Sequence, residues 1–130
     1  MMKKVNSLSE KRLIVECNVG GKTAAFLIDT GASIGLIDKN QTKKYNLLSS
    51  RKYTGTIVGA GGEIENPYIC DNIINIEDKI MNQFLLVDLS NIVDSIKRET
   101  GITILGIVSL PQMKFIGMNI DTNDNLLILE

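Results

Sequence analysis

A carboxylate, two hydroxyls and a glycine follow directly on an apolar run in this chain. The run covers residues 24–28, and the five residues after it are Asp29-Thr30-Gly31-Ala32-Ser33. Burying a carboxylate at the end of such a strand is unfavourable unless another group compensates it. Glycine lets the backbone turn tightly and lets another group approach it closely. Because carboxylates serve as general acids and bases, Asp29 is the first candidate for chemistry.

The amino-acid composition limits the kinds of catalytic site in which Asp29 could take part. The 130 residues include no histidine, which excludes Ser-His-Asp and Cys-His catalytic sets and histidine-ligated metals. The 14 basic and 15 acidic residues give a net charge of -1. That balance argues against nucleic acid or an anionic membrane as the main partner. Any general acid-base chemistry must therefore come from carboxylates, Lys, Tyr or Cys, and we expect no metal and no cofactor.

The cysteines and the N-terminal residues indicate the compartment. Cys17 and Cys70 lie far apart and belong to no CxxC pair, so we expect two reduced, partly buried thiols. Residues 1–7 lack the apolar region of a secretory signal, and no segment is long enough to span a membrane. A cytoplasmic protein without a membrane partner is the expectation.

Short strands are predicted to hold the Asp29 loop. The length fits one domain, predicted over residues 12–130 after a flexible segment at 1–11. Many short strands with two or three short helices predict a mostly β, partly closed barrel. The predicted strands cover 13–19, 23–28, 35–37, 52–58, 63–70, 72–76, 82–87, 102–105, 115–120 and 126–129, and the predicted helices cover 39–45, 90–99 and 108–113.

A second glycine-rich segment follows the predicted strand at 52–58. It reads Gly59-Ala60-Gly61-Gly62 and invites comparison with a dinucleotide-binding loop. That fingerprint needs a glycine at position 64, which is Ile64, and a helix directly after the loop. A mobile hairpin tip is the better interpretation, because glycines there permit unusual φ values and hinge motion.

Taken together, these segments resemble the retropepsin-like aspartic peptidases of the bacterial, single-lobe type. The matching residues are Phe26 to Ser33, the flap-like Val58 to Ile64, and Ile104-Leu105-Gly106. The resemblance covers roughly residues 12 to 130. It implies a closed β-barrel with a flap hairpin and two or three short helices. The chain departs from many members of the family after the Ile-Leu-Gly, where it has Ile107 and Val108 in place of Asp or Arg.

The resemblance also implies a mechanism and a partner. Two carboxylates activate one water in this family, and like charges at close range keep one of them protonated. A chain with one Asp-Thr-Gly meets this need as a symmetric homodimer that pairs Asp29 with its mate. An extended peptide or protein would be the substrate. The implied roles are catalysis for Asp29, the active-site loop and dimer grip for Thr30, Gly31 and Ala32, the substrate-binding flap for Gly59, Ala60, Gly61 and Gly62, and core support of the loop for Ile104, Leu105 and Gly106.

Two other interpretations of the same residues stay open. The dimer could hold an extended peptide or assemble a complex without cutting it. Alternatively, Asp29 could only cap local backbone amides in an Asx-type turn of a lone β-domain. The presence of Asp29, Thr30 and Gly31 together favours the enzyme, because a binding module needs no paired acids.

Overall fold

The structure is a computed structural model that describes residues 2–59, 62–65, 67–81 and 83–130. The predicted mostly β fold is confirmed. The strands are β1 (Lys3–Asn6), β2 (Ile14–Val19), β3 (Lys22–Asp29), β4 (Gly35–Asp38), β5 (Thr56–Gly59), β6 (Gly62–Glu65), β7 (Tyr68–Ile69), β8 (Ile74–Ile76), β9 (Lys79–Met81), β10 (Phe84–Val87), β11 (Ile104–Ser109), β12 (Met118–Asp121) and β13 (Leu126–Leu129). A 3₁₀ turn (Lys39–Gln41) leads into α1 (Thr42–Tyr45), and α2 (Ser90–Thr100) and α3 (Leu110–Phe115) follow later.

Eight strands form the main sheet, in the order β7-β10-β4-β11-β3-β2-β8-β9. Two of its pairs, β3 with β11 and β4 with β10, run parallel. The sheet curls into a half-barrel. Among the described strands, β7 and β9 are its two ends.

Strand β3 lies inside this sheet and is buried on both faces. Phe26 and Ile28 pack into the larger of two hydrophobic clusters, where the Phe26 ring meets the edge of Phe84 at 5.5 Å between centroids. Leu27 points the other way and packs under α2 with Val93 and its neighbours. A strand buried on both faces is a nearly continuous apolar run, which explains why residues 24–28 lack alternation.

The N-terminal residues form a strand where the sequence predicted a flexible segment at 1–11. Strand β1 pairs with β13 from Lys3 opposite Leu129 to Asn6 opposite Leu126, and β12 pairs with the other side of β13. Val5 packs against the larger hydrophobic cluster. The strand was missed because its partner lies at the far end of the chain and its own residues are mostly polar.

Strand β11 also differs from its prediction. The sequence predicted a strand at 102–105 closed by Gly106 and a helix at 108–113, but β11 continues to Ser109 and α3 covers 110–115. Gly106 does not end the strand: a Cβ there would overlap the Leu36 carbonyl oxygen and lie 2.8 Å from the Phe26 ring. Glycine is needed at this position because β11 approaches β4 and the core so closely.

Other boundaries differ by a few residues. Strand β9 was not predicted, and β5 begins at Thr56, since Lys52 makes only an isolated bridge to Tyr68. A serine at the start of a helix is a typical capping residue, but the Ser90 backbone N–H donates to Asp88 Oδ1 at 2.9 Å. That side chain precedes the helix and supplies the acceptor in place of the Ser90 hydroxyl.

The close approach at Gly106 predicts that Gly106→Ala lowers the free energy of unfolding by about 1–3 kcal/mol, the usual cost of overpacking a core. The smaller conformational entropy of the unfolded chain offsets only about 0.4–1 kcal/mol of this. Urea unfolding measures the change, with the exposed helix substitution Asn91→Ala as control. Equal stability of the two variants would contradict the assigned packing.

Candidate active site

Asp29 lies at the end of β3, where both neighbouring strands hold the backbone. On one side β11 runs parallel, with Val108 opposite Ile28 and Ser109 opposite Asp29. On the other side the Ile28 N–H donates to the Leu13 carbonyl oxygen at 2.9 Å. The half-buried Asp29 is therefore the last residue of a strand fixed on both sides.

The loop after β3 closes on itself through short hydrogen bonds. The Gly31 N–H donates to Asp29 Oδ1 at 2.9 Å, and the Ala32 N–H donates to the Asp29 carbonyl oxygen at 3.1 Å. A Cβ on Gly31 would stand 3.3 Å from Asp29 Oδ1, so glycine keeps this approach open. No described residue donates to Asp29 Oδ2. One carboxylate oxygen is thus fixed by the loop, and the other is left for a further group.

Some of the remaining loop residues are exposed to solvent, and others pack against the core. Thr30 and Ser33 are exposed, and the Thr30 hydroxyl makes no hydrogen bond within the described part of the chain. Ala32 is partly buried against the cluster beneath α2. Its carbonyl oxygen accepts from the Leu110 N–H at 3.2 Å, which ties the loop to the start of α3.

The glycine-rich segment forms the predicted hairpin. Strands β5 and β6 pair antiparallel from Thr56 opposite Glu65 to Gly59 opposite Gly62. Ala60 and Gly61, which were predicted to form the tip of the flap, lie outside the described residues.

The predicted core support of the loop is shifted along β11. Ile104, Leu105 and Gly106 are buried in β11, but Ile104 lies opposite Ala25 and Gly106 opposite Phe26, with an irregular register between them. Ser109 and Leu110 are the residues that reach the loop. The Ile-Leu-Gly therefore lies beside the middle of β3 and not beside Asp29 at its end.

A buried polar pair, missed by the sequence reasoning, holds the junction of β11 and α3. The Ser109 N–H and hydroxyl donate to Gln112 Oε1 at 2.9 Å and 3.0 Å, and the Gln112 N–H donates to Ser109 Oγ at 3.4 Å. This is a capping box. The Gln112 amide also occupies the space that a Cβ on Gly35 would need. The signal was present in the sequence, because Ser-x-x-Gln with proline in the first turn is a helix-start pattern.

An ion pair between the segment before β2 and the end of α2 was also missed. Arg12 Nε and Nη2 donate to Glu99 at 3.0 Å, across 87 residues of sequence. The pKa of Arg12 is raised first by this hydrogen bond, then by the charge of Glu99, with a further contribution from Asp29. The pKa of Glu99 is lowered, chiefly by the same hydrogen bond. This ion pair therefore ties the segment before β2 to the last turn of α2.

The two thiols lie away from this chemistry. Cys17 and Cys70 are free and buried. Burial raises the pKa of Cys17 to about 12 and also raises the pKa of Cys70. Both groups are therefore protonated at neutral pH and poor nucleophiles. Within the described ranges, no group of three or more potential metal-binding side chains occurs, and no helix has the length and apolarity to cross a membrane.

Comparison with known proteins supports an acid-protease interpretation of this geometry. The family model described as aspartyl protease matches residues 15–107. The solved EIAV protease with the inhibitor HBY-793 has a TM-score of 0.63 at 19% identity, covering 90% of this chain and 99% of that chain. The retropepsin-like aspartic protease from Rickettsia conorii has a TM-score of 0.58 at 19% identity, covering 99% and 89%.

A third similar structure is the retroviral protease-like domain of Ddi1 from Leishmania major. It has a TM-score of 0.59 at 18% identity and covers 92% of this chain and 86% of that chain. At these identities the three structures establish a shared retropepsin-like fold, which confirms the resemblance inferred from the sequence. Among curated proteins, no sequence is significantly similar to this chain.

The capping box predicts that Ser109→Ala lowers the free energy of unfolding by about 1 kcal/mol, the usual loss when a helix loses its capping hydroxyl. Ser95→Ala, an exposed change within α2, is the matched control. Chemical denaturation of both variants measures the difference. A Ser109→Ala variant as stable as the control would mean that the capping box does not hold the β11–α3 junction.

Proposed function

Because the chain belongs to the aspartyl protease family, we propose that it is an aspartic endopeptidase that acts as a homodimer on extended peptides or proteins. The observation that carries the proposal is the state of the Asp29 carboxylate. One oxygen is fixed by the Gly31 N–H, and the other accepts from no described residue at the end of a strand fixed on both sides. Such a group is oriented and has a free lone pair for a water molecule.

The proposed reaction uses Asp29 and its symmetry mate as one acid-base pair. Like charges at close range leave a single proton on the pair. The ionised carboxylate takes a proton from the water, whose oxygen forms a bond to the carbonyl carbon of the peptide. The protonated carboxyl gives its proton to the carbonyl oxygen. When the tetrahedral intermediate collapses, the C–N bond breaks and the nitrogen leaves with a proton from one carboxyl. A hydroxyl of the intermediate returns its proton to the other carboxylate as the carbonyl re-forms, so the pair again holds a single proton.

A homodimer is required because each chain supplies one Asp29. The exposed Thr30 hydroxyl, free of described partners, is suited to a hydrogen bond with the loop of a second copy. In the three-stranded sheet, β1 and β12 each have one side unpaired among the described strands. Unpaired strand edges can pair with another chain, so this sheet offers a second contact surface for the dimer.

The hairpin of β5 and β6 supports an extended substrate. We propose that the segment Gly59 to Gly62 covers the peptide and that the peptide binds as an added strand. In that mode main-chain hydrogen bonds supply affinity and alternate side chains enter pockets. Apolar side chains on either side of the cut are the expected preference.

A non-catalytic dimer that binds peptides or assembles a complex is the second candidate. The observation that favours it is the local turn between Asp29 and Gly31, which gives the carboxylate a structural use without any reaction. We also propose a cytoplasmic location, supported by the two free thiols, since disulfides are rare in that compartment.

The peptidase proposal predicts that Asp29→Asn abolishes cleavage of a peptide library while the protein stays folded. Asparagine keeps the acceptor for the Gly31 N–H but cannot exchange a proton with water. Cleavage sites and rates are read by mass spectrometry at acidic to neutral pH. Thermal unfolding and light scattering after size exclusion check that wild type and variant share fold and dimer. Wild-type rates in Asp29→Asn, or a strict monomer at all concentrations, would refute the proposal. A well-formed wild-type dimer that cuts nothing would favour the binding module.

The dimer model predicts that Thr30→Ala weakens self-association by about 1 kcal/mol for each hydrogen bond lost across the interface. Sedimentation equilibrium gives the dimer dissociation constants of variant and wild type. Ser33→Ala removes a second exposed hydroxyl of the same loop and is the control. Dissociation constants that are the same in all three proteins would show that Thr30 does not bridge the subunits.

A further inference from the structure

A cavity of about 410 Å³ lies between the end of the Asp29 loop and the segment that leads into the β5–β6 hairpin. Its lining residues are Ile34, Arg51, Tyr53, Ile69, Gln83 and Leu85. Ile34 follows directly on Ser33, the last residue of the loop, and Tyr53 lies shortly before β5. The cavity therefore adjoins both the candidate catalytic loop and the hairpin that we propose covers the substrate.

Backbone pairing fixes the residues that form the floor of this cavity. Leu85 of β10 lies opposite Leu36 of β4 on one side and opposite Ile69 of β7 on the other. The Ile69 N–H donates in turn to the Arg51 carbonyl oxygen at 3.0 Å. The cavity therefore spans a continuous run of hydrogen-bonded segments, from the start of β4 to the residues around Arg51, and the side chains of Leu85 and Ile69 make its floor apolar.

The polar side chains around the cavity can all donate hydrogen bonds. They are the guanidinium of Arg51, the amide of Gln83 and the phenol of Tyr53, and all three residues are exposed. The guanidinium can only donate, whereas the amide and the phenol can also accept. The Tyr53 ring packs beside Gly55, where a Cβ would lie 3.1 Å from Tyr53 Cε1. None of the described lining residues carries a negative charge, so the cavity suits an anionic group.

The charge of Arg51 is not paired with a described neighbour. Within the part of the chain that the structure describes, no carboxylate forms an ion pair with Arg51, and no atom accepts a hydrogen bond from its guanidinium. Asp71 lines a second cavity of about 430 Å³ that also includes Arg51, but Asp71 Oδ2 accepts from the Ser50 N–H at 2.7 Å. The neighbouring Lys52 lies over the Tyr68 ring, with Nζ 5.6 Å from its centre. Arg51 is therefore the cation that is available to a group bound in the first cavity.

We propose that Arg51 is a specificity-determining residue, which selects substrates with an acidic side chain, glutamate above all, close to the cut. The inference rests on the proposed function, since it names the substrate class of that same site. The glutamate carboxylate accepts hydrogen bonds from the Arg51 guanidinium, a contact that arginine makes with both oxygens, and its methylene groups lie on Ile69 and Leu85. A basic side chain at this position is disfavoured by its like charge. The apolar residues expected beside the cut are thus joined by one acidic residue farther from it.

Matched peptides test this selection. Each peptide has an apolar pair at its centre and a single glutamate, glutamine or lysine, which is moved from position to position on either side of that pair. Cleavage by the wild-type protein is followed by mass spectrometry and expressed as kcat/KM. At the preferred position the glutamate peptide is expected to be cut about tenfold faster than the glutamine peptide, as for a partly exposed hydrogen bond to a charged group, and the lysine peptide more slowly than both. Raising the salt concentration reduces the preference.

Variants of Arg51 connect the preference to this side chain. Arg51→Gln is expected to cut the glutamate and glutamine peptides at equal rates, and Arg51→Glu to prefer the lysine peptide. Lys52→Gln removes the adjacent cation, which lies over Tyr68 and does not line the cavity, and is expected to keep the wild-type ratio. A purely structural role of Arg51 would slow all peptides by the same factor. That result, or an unchanged ratio in Arg51→Gln, would overturn the proposal. If the Arg51 variants do not fold, equal rates for the glutamate and lysine peptides in the wild type are sufficient to reject it.

Peptide binding separates this inference from the peptidase proposal. Isothermal titration calorimetry gives the dissociation constants of the same peptides for Asp29→Asn, alone and combined with Arg51→Gln. Tighter binding of the glutamate peptide that disappears in the double variant supports the role of Arg51, even if the wild-type protein cleaves nothing and the peptidase proposal fails. Cleavage of the peptides without an acidic preference overturns the role of Arg51 and leaves the peptidase proposal intact. A protein that neither cuts nor binds any of the peptides refutes both.

Discussion

The site depends on the burial of β3 on both faces and on both edges. Its apolar side chains enter the two hydrophobic clusters, and its backbone pairs with β2 and with β11. A buried backbone must satisfy its hydrogen bonds, so β3 has no freedom to shift along its neighbours. A one-residue shift would also exchange the two faces. Asp29, the first charged residue after this run, must therefore emerge at one fixed point at the end of the sheet.

The end of β3 that carries Asp29 is supported by buried polar side chains. Ser109 and Gln112 are both buried at the junction of β11 and α3, and each satisfies the other. Such pairs add specificity only when their hydrogen bonds are complete, because a half-satisfied buried group is costly. Gly35 makes room for the Gln112 amide. The chain thus has a polar support next to the Asp29 loop, although Ile107 and Val108 replace the charged residues expected from the resemblance.

Local signals in the sequence were sufficient for much of this architecture. The apolar run into Asp29 depends on neighbours in the sequence. The same holds for the Asp38 side chain that caps the 3₁₀ turn and for the left-handed Gly101 after α2. The predictions that were wrong concern residues whose partners lie far away in the sequence. Strand β1 forms because it pairs with β13. At Gly106 the backbone of β11 closely approaches β4, but in the sequence alone this glycine looks like the end of a strand. No local pattern connects Arg12 with Glu99, because packing of α2 against β11 brings them together.

The Arg12–Glu99 pair defines local geometry more than it adds to stability. Its side chains are 49% and 35% exposed, and exposed ion pairs contribute little to folding because water screens them and ordering long side chains costs entropy. Arg12 is nevertheless fixed by its bidentate contact with Glu99. Its backbone carbonyl oxygen also accepts a hydrogen bond from the Ser7 hydroxyl. A fixed charge acts on its neighbours in a defined direction, which a freely moving lysine cannot do. Helix α2 therefore does more than cover β3 and β11, since its last turn holds the segment that leads into β2 through the Arg12–Glu99 contact.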